Sequence, residues 1–113
     1  MSSPLTSVLK FHPKLRACLI DDRAHIGLTT FPASNRRGRH VQMIKLALNA
    51  FARRQGFPEL DESNDLFDQE TSDFVEVFKK LHRPPILNFA NKIDAIVGKK
   101  TIAALDDELP NVR

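Results

Sequence analysis

Apolar residues return at three- and four-residue steps over three stretches of this chain, and each predicts a helix. The strongest runs from 41 to 55, where Val41, Ile44, Leu48, Phe51 and Ala52 form one stripe. Met43, Leu46, Ala47 and Ala50 widen the apolar arc, leaving Gln42, Lys45, Asn49 and Arg53 as a narrow polar stripe opposite. A helix with so wide an apolar face needs cover on two sides. The second stretch runs from 69 to about 81 and turns Phe74, Val75, Phe78 and Leu81 inward, with Glu76 and Lys80 four apart as a surface pair. The third runs from 99 to about 108, with Ile102, Leu105 and Leu109 along one face. A shorter stretch, 14–20, sets Leu15, Cys18 and Leu19 at helical spacing behind Pro13, which suits a first helical turn. With Phe11 it is the expected cover for the open face of the 41–55 helix.

Between these stretches the chain is punctuated. Gly56 suits the left-handed residue that closes a helix, and Pro58 prevents resumption. Residues 57–68 are acidic and polar, with Leu60 as the inward anchor, and Asp68 is placed to cap the helix that follows. Arg83-Pro84-Pro85 stops the second helix. Residues 86–93 then need a short strand or 3₁₀ turn to bury Ile86, Leu87, Phe89 and Ile93. Residues 27–38 have loop composition, and the opening residues, with Ser2, Ser3 and Pro4, predict a disordered start.

The second and third helices are introduced by similar residues. Leu66-Phe67-Asp68-Gln69-Glu70-Thr71 aligns with Ile96-Val97-Gly98-Lys99-Lys100-Thr101, an internal repeat of an apolar pair, a turn and a helix with Thr in its first turn. Asp65, Phe67 and Thr71, then Val75 and Phe78, then Asp94, Ile96, Val97, Gly98, Thr101, Ala103, Ala104 and Leu105 resemble the signature of the peptidoglycan-binding domain family. That signature is D-G-x-F-G-x-x-T, A-V-x-x-F-Q, and D-G-I-V-G-x-x-T with A-A-L. Leu66, Asp68 and Ala95 stand where the family has glycines, and Lys79 stands where it has Gln. The resemblance covers roughly residues 40–109. It implies an all-α fold, a three-helix bundle of the peptidoglycan-binding type with an additional N-terminal helix. The expected divisions are 1–39 as an extension packing on the bundle, 40–109 as the domain and 110–113 as a tail.

Composition narrows the function classes. A chain of 113 residues supports one domain with one core. The chain has no Trp or Tyr and eight Phe, which disfavours stacking platforms for sugars. One cysteine, Cys18, excludes an intramolecular disulfide and a thiolate metal cluster. His12, His25, His40 and His82 are dispersed, without the spacing of a zinc site, and no glycine-rich phosphate loop is present. Asp21 and Asp22 point in different directions as neighbours and lack a third ligand. An enzyme is therefore not expected, nor a cofactor, nor a metal. The first residues lack the pattern of a secretory signal, and no run is long enough to span a bilayer. Synthesis in the cytoplasm, with any export to the periplasm or envelope by another route, is the expectation.

Charge is uneven. Residues 1–56 carry ten Lys or Arg against two Asp, and residues 57–113 carry seven against twelve acidic groups. Such asymmetry steers anionic partners or favours head-to-tail association. Arg36, Arg37 and Arg39 form the most basic run and are the candidate polyanion contact, but without interleaved aromatics a nucleic-acid partner is not expected.

The resemblance implies non-catalytic recognition of bacterial cell wall, with peptidoglycan or its stem peptides as ligand. On that reading the ligand-binding candidates are Asn64, Asp65, Asp68, Asp94, Lys99 and Lys100. Lys99 and Lys100 would meet a peptide carboxylate, while Asn64 or Asp94 would accept ligand N–H groups. The rival class is a protein–protein adaptor, associated with a secreted effector or secretion-system protein, that has kept the bundle and lost the wall ligand.

Overall fold

The structure, a computed structural model, describes residues 26–28, 36–88 and 90–108. Among these residues the chain is all-α: α1 (Arg39–Gln55), α2 (Gln69–Leu81) and α3 (Lys99–Glu108), with isolated bridges and no strand. The expected helix at 14–20, the packing of Phe11, Leu15 and Leu19, and the burial of Phe89 and Leu109 lie outside the described residues.

α1 is the centre, packing against both other helices. Its apolar arc is buried as its width requires, with Val41, Ile44, Ala47, Leu48 and Ala52 at 0% exposure. Gly56 closes it with φ 78°, a left-handed conformation that favours glycine, and its N–H donates to Ala52 O. At the other end Gly38 has φ 132°, and a Cβ there would meet the His40 ring at 3.2 Å.

The middle of the polar stripe of α1 is not a solvent face, although Arg53 at its end is exposed. Lys45 and Asn49 are each 1% exposed, covered by the acidic loop that follows the helix. Buried polar groups need partners, and the loop backbone supplies them. Lys45 Nζ donates to Asn64 O at 2.7 Å, while at the more exposed ends of the stripe Gln42 Nε2 donates to Ser63 O and Arg53 pairs with the Glu59 side chain. Asn49 is used on both sides of its amide. Its Nδ2 donates to Leu60 O and Glu62 Oε2, and its Oδ1 accepts from Leu60 N. The loop runs back along α1 and turns Leu60 into the core.

α2 buries Val75 and Phe78 completely, while Phe74 is half-buried. Leu81 departs from the expected inward set and is exposed, the last residue of α2. Glu76 and Lys80 do not pair; the i,i+4 contact on α2 is Gln69 Nε2 to Asp73 Oδ1. Phe51 of α1 meets Phe78 edge-on at 5.0 Å and Phe74 at 6.2 Å, joining α1 to α2 through an aromatic cluster. α2 ends at Leu81, with the Arg83–Pro84 peptide bond cis. Ile86 is buried, but the following connection is neither strand nor 3₁₀ helix: it is held by Asn88, whose Oδ1 accepts from Ala90 N and Lys92 N. α3 buries Ile102 and Leu105, and Glu108 at its end pairs with Arg54 of α1.

The segment before α1 braces both repeated motifs. Ile26 is 3% exposed and exchanges two hydrogen bonds with Val97, Ile26 N to Val97 O at 2.9 Å and Val97 N to Ile26 O at 2.7 Å. Phe67 N donates to Arg36 O, and Gly38 N donates to Asp65 O, forming the matching bridge at the first motif. No helix among the described residues is long and apolar enough to cross a membrane.

Candidate functional site: the two helix-opening motifs

The internal repeat is realised as a local structure made twice. Phe67 and Val97, at equivalent positions, are both buried in extended segments that bridge to the chain before α1. One residue later, Asp68 and Gly98 occupy the capping position. Thr71 and Thr101 follow as third residues of α2 and α3, and both are buried. Small β-branched residues there let each helix start press against the core.

The copies differ at the cap. Asp68 Oδ1 accepts from Thr71 N at 3.0 Å and from Thr71 Oγ1 at 2.7 Å, satisfying a first-turn donor that the helix cannot satisfy itself. Gly98 has no side chain to do this. A Cβ built on it meets nothing within 4 Å beyond its chain neighbours, so a side chain at position 98 has room. Gly98 also keeps a backbone conformation available to other residues. Lys100, in the first turn of α3, is exposed; nothing is described for the side chain of Lys99.

The other candidate residues are placed as follows. Asn64, Asp65 and Asp68 are brought together at the start of α2. Asn64 Nδ2 donates to Asp68 Oδ2, and Asn64 Oδ1 accepts from Leu66 N. Asp65 keeps a half-exposed carboxylate 3.6 Å from Arg37 Nε. Asp94 lies before α3 and is engaged on both oxygens. Oδ1 accepts from Lys79 Nζ and Ile96 N, and Oδ2 accepts from Asn88 Nδ2. The ligand N–H role expected for Asn64 or Asp94 is thus already filled by groups of the chain itself. Asp65 and Lys100 retain exposed charge.

Electrostatics follow from these partners. Partial burial acts to raise the Asp94 pKa, but hydrogen bonds from Lys79, Asn88 and Ile96 N outweigh it and hold the carboxyl below its ordinary value. At Asp68, burial is likewise outweighed by the Thr71 hydrogen bonds and the Lys45 charge. Asp61 is lowered by hydrogen bonds from Ser63.

Lys79 was not among the candidates, yet it fixes the second motif. It is 4% exposed, and its Nζ reaches both Asp94 and the Ile96 carbonyl, tying α2 to the two residues on either side of the bend into α3. The signal was its position, four residues after Val75 and next to Phe78, inside the apolar face of α2.

The three arginines do not form one surface. Arg36 Nη1 donates to Leu28 O, Arg37 is directed at Asp65, and Arg39 is exposed as the first residue of α1. His82 turns its ring to Pro84 O, and His40 is buried. Among the described residues no three His, Cys, Asp or Glu side chains are grouped to hold a metal ion. No family model matches the chain, and no curated protein and no solved structure matches it either.

Proposed function

We propose that the chain is a non-catalytic module that recognises bacterial cell wall, built on a three-helix framework of the peptidoglycan-binding type with an N-terminal extension. The observation that carries this reading is the difference between the two copies of the motif. The first copy caps its helix with its own carboxylate, Asp68; the second presents Gly98, open space, and the exposed Lys100. A helix start with unused N–H groups and a nearby ammonium favours an anion. The carboxylate of a wall stem peptide meets that requirement, taking at α3 the role that Asp68 takes at α2. Lys79 supports the opening by holding the backbone at Ile96, and Ile26 holds it at Val97.

The test is co-sedimentation of the full chain with intact peptidoglycan sacculi across a salt series, beside a Lys99→Glu/Lys100→Glu variant. Saturable binding that persists at moderate salt and is lost in the variant supports recognition at the second motif. Binding that disappears with salt equally in both proteins removes it.

One observation favours a second reading, a protein–protein adaptor that no longer binds wall. Asn64, Asp68 and Asp94 already bond within the chain, which leaves few candidate groups to meet a glycan. Absence of any co-sedimentation selects this reading.

A further inference from the structure

The outer flank of α2 carries apolar side chains that the described residues cover only in part: Val77 and Leu81 are exposed, and Phe74, half-buried against Phe51, forms the inner edge of the strip. Phe74, Val77 and Leu81 recur there at three- and four-residue steps, and Phe57 packs against Phe74 at 6.3 Å between ring centroids. Val77 and Leu81 are each 38% exposed and Phe57 36%, three of the four most exposed large hydrophobic residues among those described. Apolar groups so clustered mark an interaction surface more than scattered ones do.

Charge indicates the occupant. Glu70 and Asp73 flank the strip towards the start of α2, and Lys80 and Arg83 flank it at the other end. Their charges are not neutralised within the described chain. Glu70 and Lys80 take part in no ion pair there; Asp73 accepts only from the Gln69 amide, and Arg83 reaches only the Lys80 and His82 carbonyls, at 3.3 and 3.4 Å. Glu70 and Arg83 stand equally far along the chain from the midpoint between Glu76 and Val77, as do Asp73 and Lys80. A strip acidic at one end, basic at the other and apolar between is complementary to itself when turned end for end. That is the pattern an isologous two-fold interface requires.

We propose that the chain self-associates through this face, α2 packing antiparallel on α2 of a second copy about a two-fold axis near Val77. Val77, Leu81, Phe74 and Phe57 form the dry centre. Glu70 and Asp73 of each copy lie against Arg83 and Lys80 of the other. This surface is separate from the helix-opening motifs and does not depend on what they bind.

Sedimentation equilibrium of the full chain, from low to several hundred micromolar, tests it with three variants checked for helix content. The expected result is a concentration-dependent dimer that Val77→Asp weakens at least about tenfold. Glu70→Lys/Asp73→Lys and Lys80→Glu/Arg83→Glu, each alone, set like charges against each other and dissociate the dimer. Mixed one to one, these two variants restore it, because every opposed pair is again of opposite sign. A monomer at all concentrations overturns the proposal. So does a dimer indifferent to Val77→Asp, which places the contact on another surface, such as one including residues 1–25. Charge variants that dissociate but are not rescued by mixing overturn the antiparallel arrangement.

Discussion

Lys79 and Asp94 show how burial sets the magnitude of a single contact. The ammonium is 5% exposed at its side chain and the carboxylate 28%. Removing one partner of a fully buried pair costs about 3–5 kcal/mol, and water access to Asp94 lowers that to about 2 kcal/mol for Asp94→Asn near neutral pH. The sign of the pH dependence follows from the depressed Asp94 pKa. Its contribution is present above the unfolded carboxyl value and is lost as pH falls through the folded one. Urea unfolding is therefore expected to show the full gap between the native chain and Asp94→Asn above about pH 5, closing below about pH 4. A gap of constant size over that range would assign the effect to packing instead. At Asn49, three hydrogen bonds tie Leu60 and Glu62 to α1. Asn49→Ala strands the Leu60 amide groups and is expected to cost about 2–3 kcal/mol in the same assay.

At the scale of elements, all three described helices were legible from apolar periodicity, and α1 and α2 also from chemical start and stop signals. Gly56 ends α1, Asp68 starts α2, and the Arg83-Pro84-Pro85 run follows its end. The fate of the α1 polar stripe was not legible. Periodicity assigns Lys45 and Asn49 to the polar side, but only the path of the following loop decides whether that side meets water or backbone carbonyls. Leu81 failed for a related reason: the apolar arc of α2 is wider than the face α1 covers. The repeat also makes a prediction about α3. Gly98 occupies the position of Asp68 in open space, so Gly98→Asp supplies the missing cap and removes a flexible glycine. Stability is expected to rise by about 0.5–1 kcal/mol, seen as a higher Tm. A lower Tm would mean that the two helix starts are not equivalent.

At the scale of the molecule, α1 is the axis on which the other described elements are hung: α2 through Phe51, α3 through Arg54 and Glu108, and the acidic loop through the polar stripe. The chain before α1 then braces both helix-opening motifs. Of the candidate site, the sequence revealed the repeat and its position but not which copy was open. Asp68 was legible as a cap from its residue type, whereas the Thr71 hydroxyl that shares its carboxylate and the space at Gly98 came only with the geometry. That difference supplies a direct test. Gly98→Asp places a carboxylate where the stem-peptide carboxylate is proposed to sit, while strengthening the fold. The decisive measurement is binding of this variant to peptidoglycan sacculi, beside the native chain and at equal salt. Loss of sedimentation by a protein with a raised Tm is the expected result. Undiminished binding by the variant would contradict recognition at the start of α3.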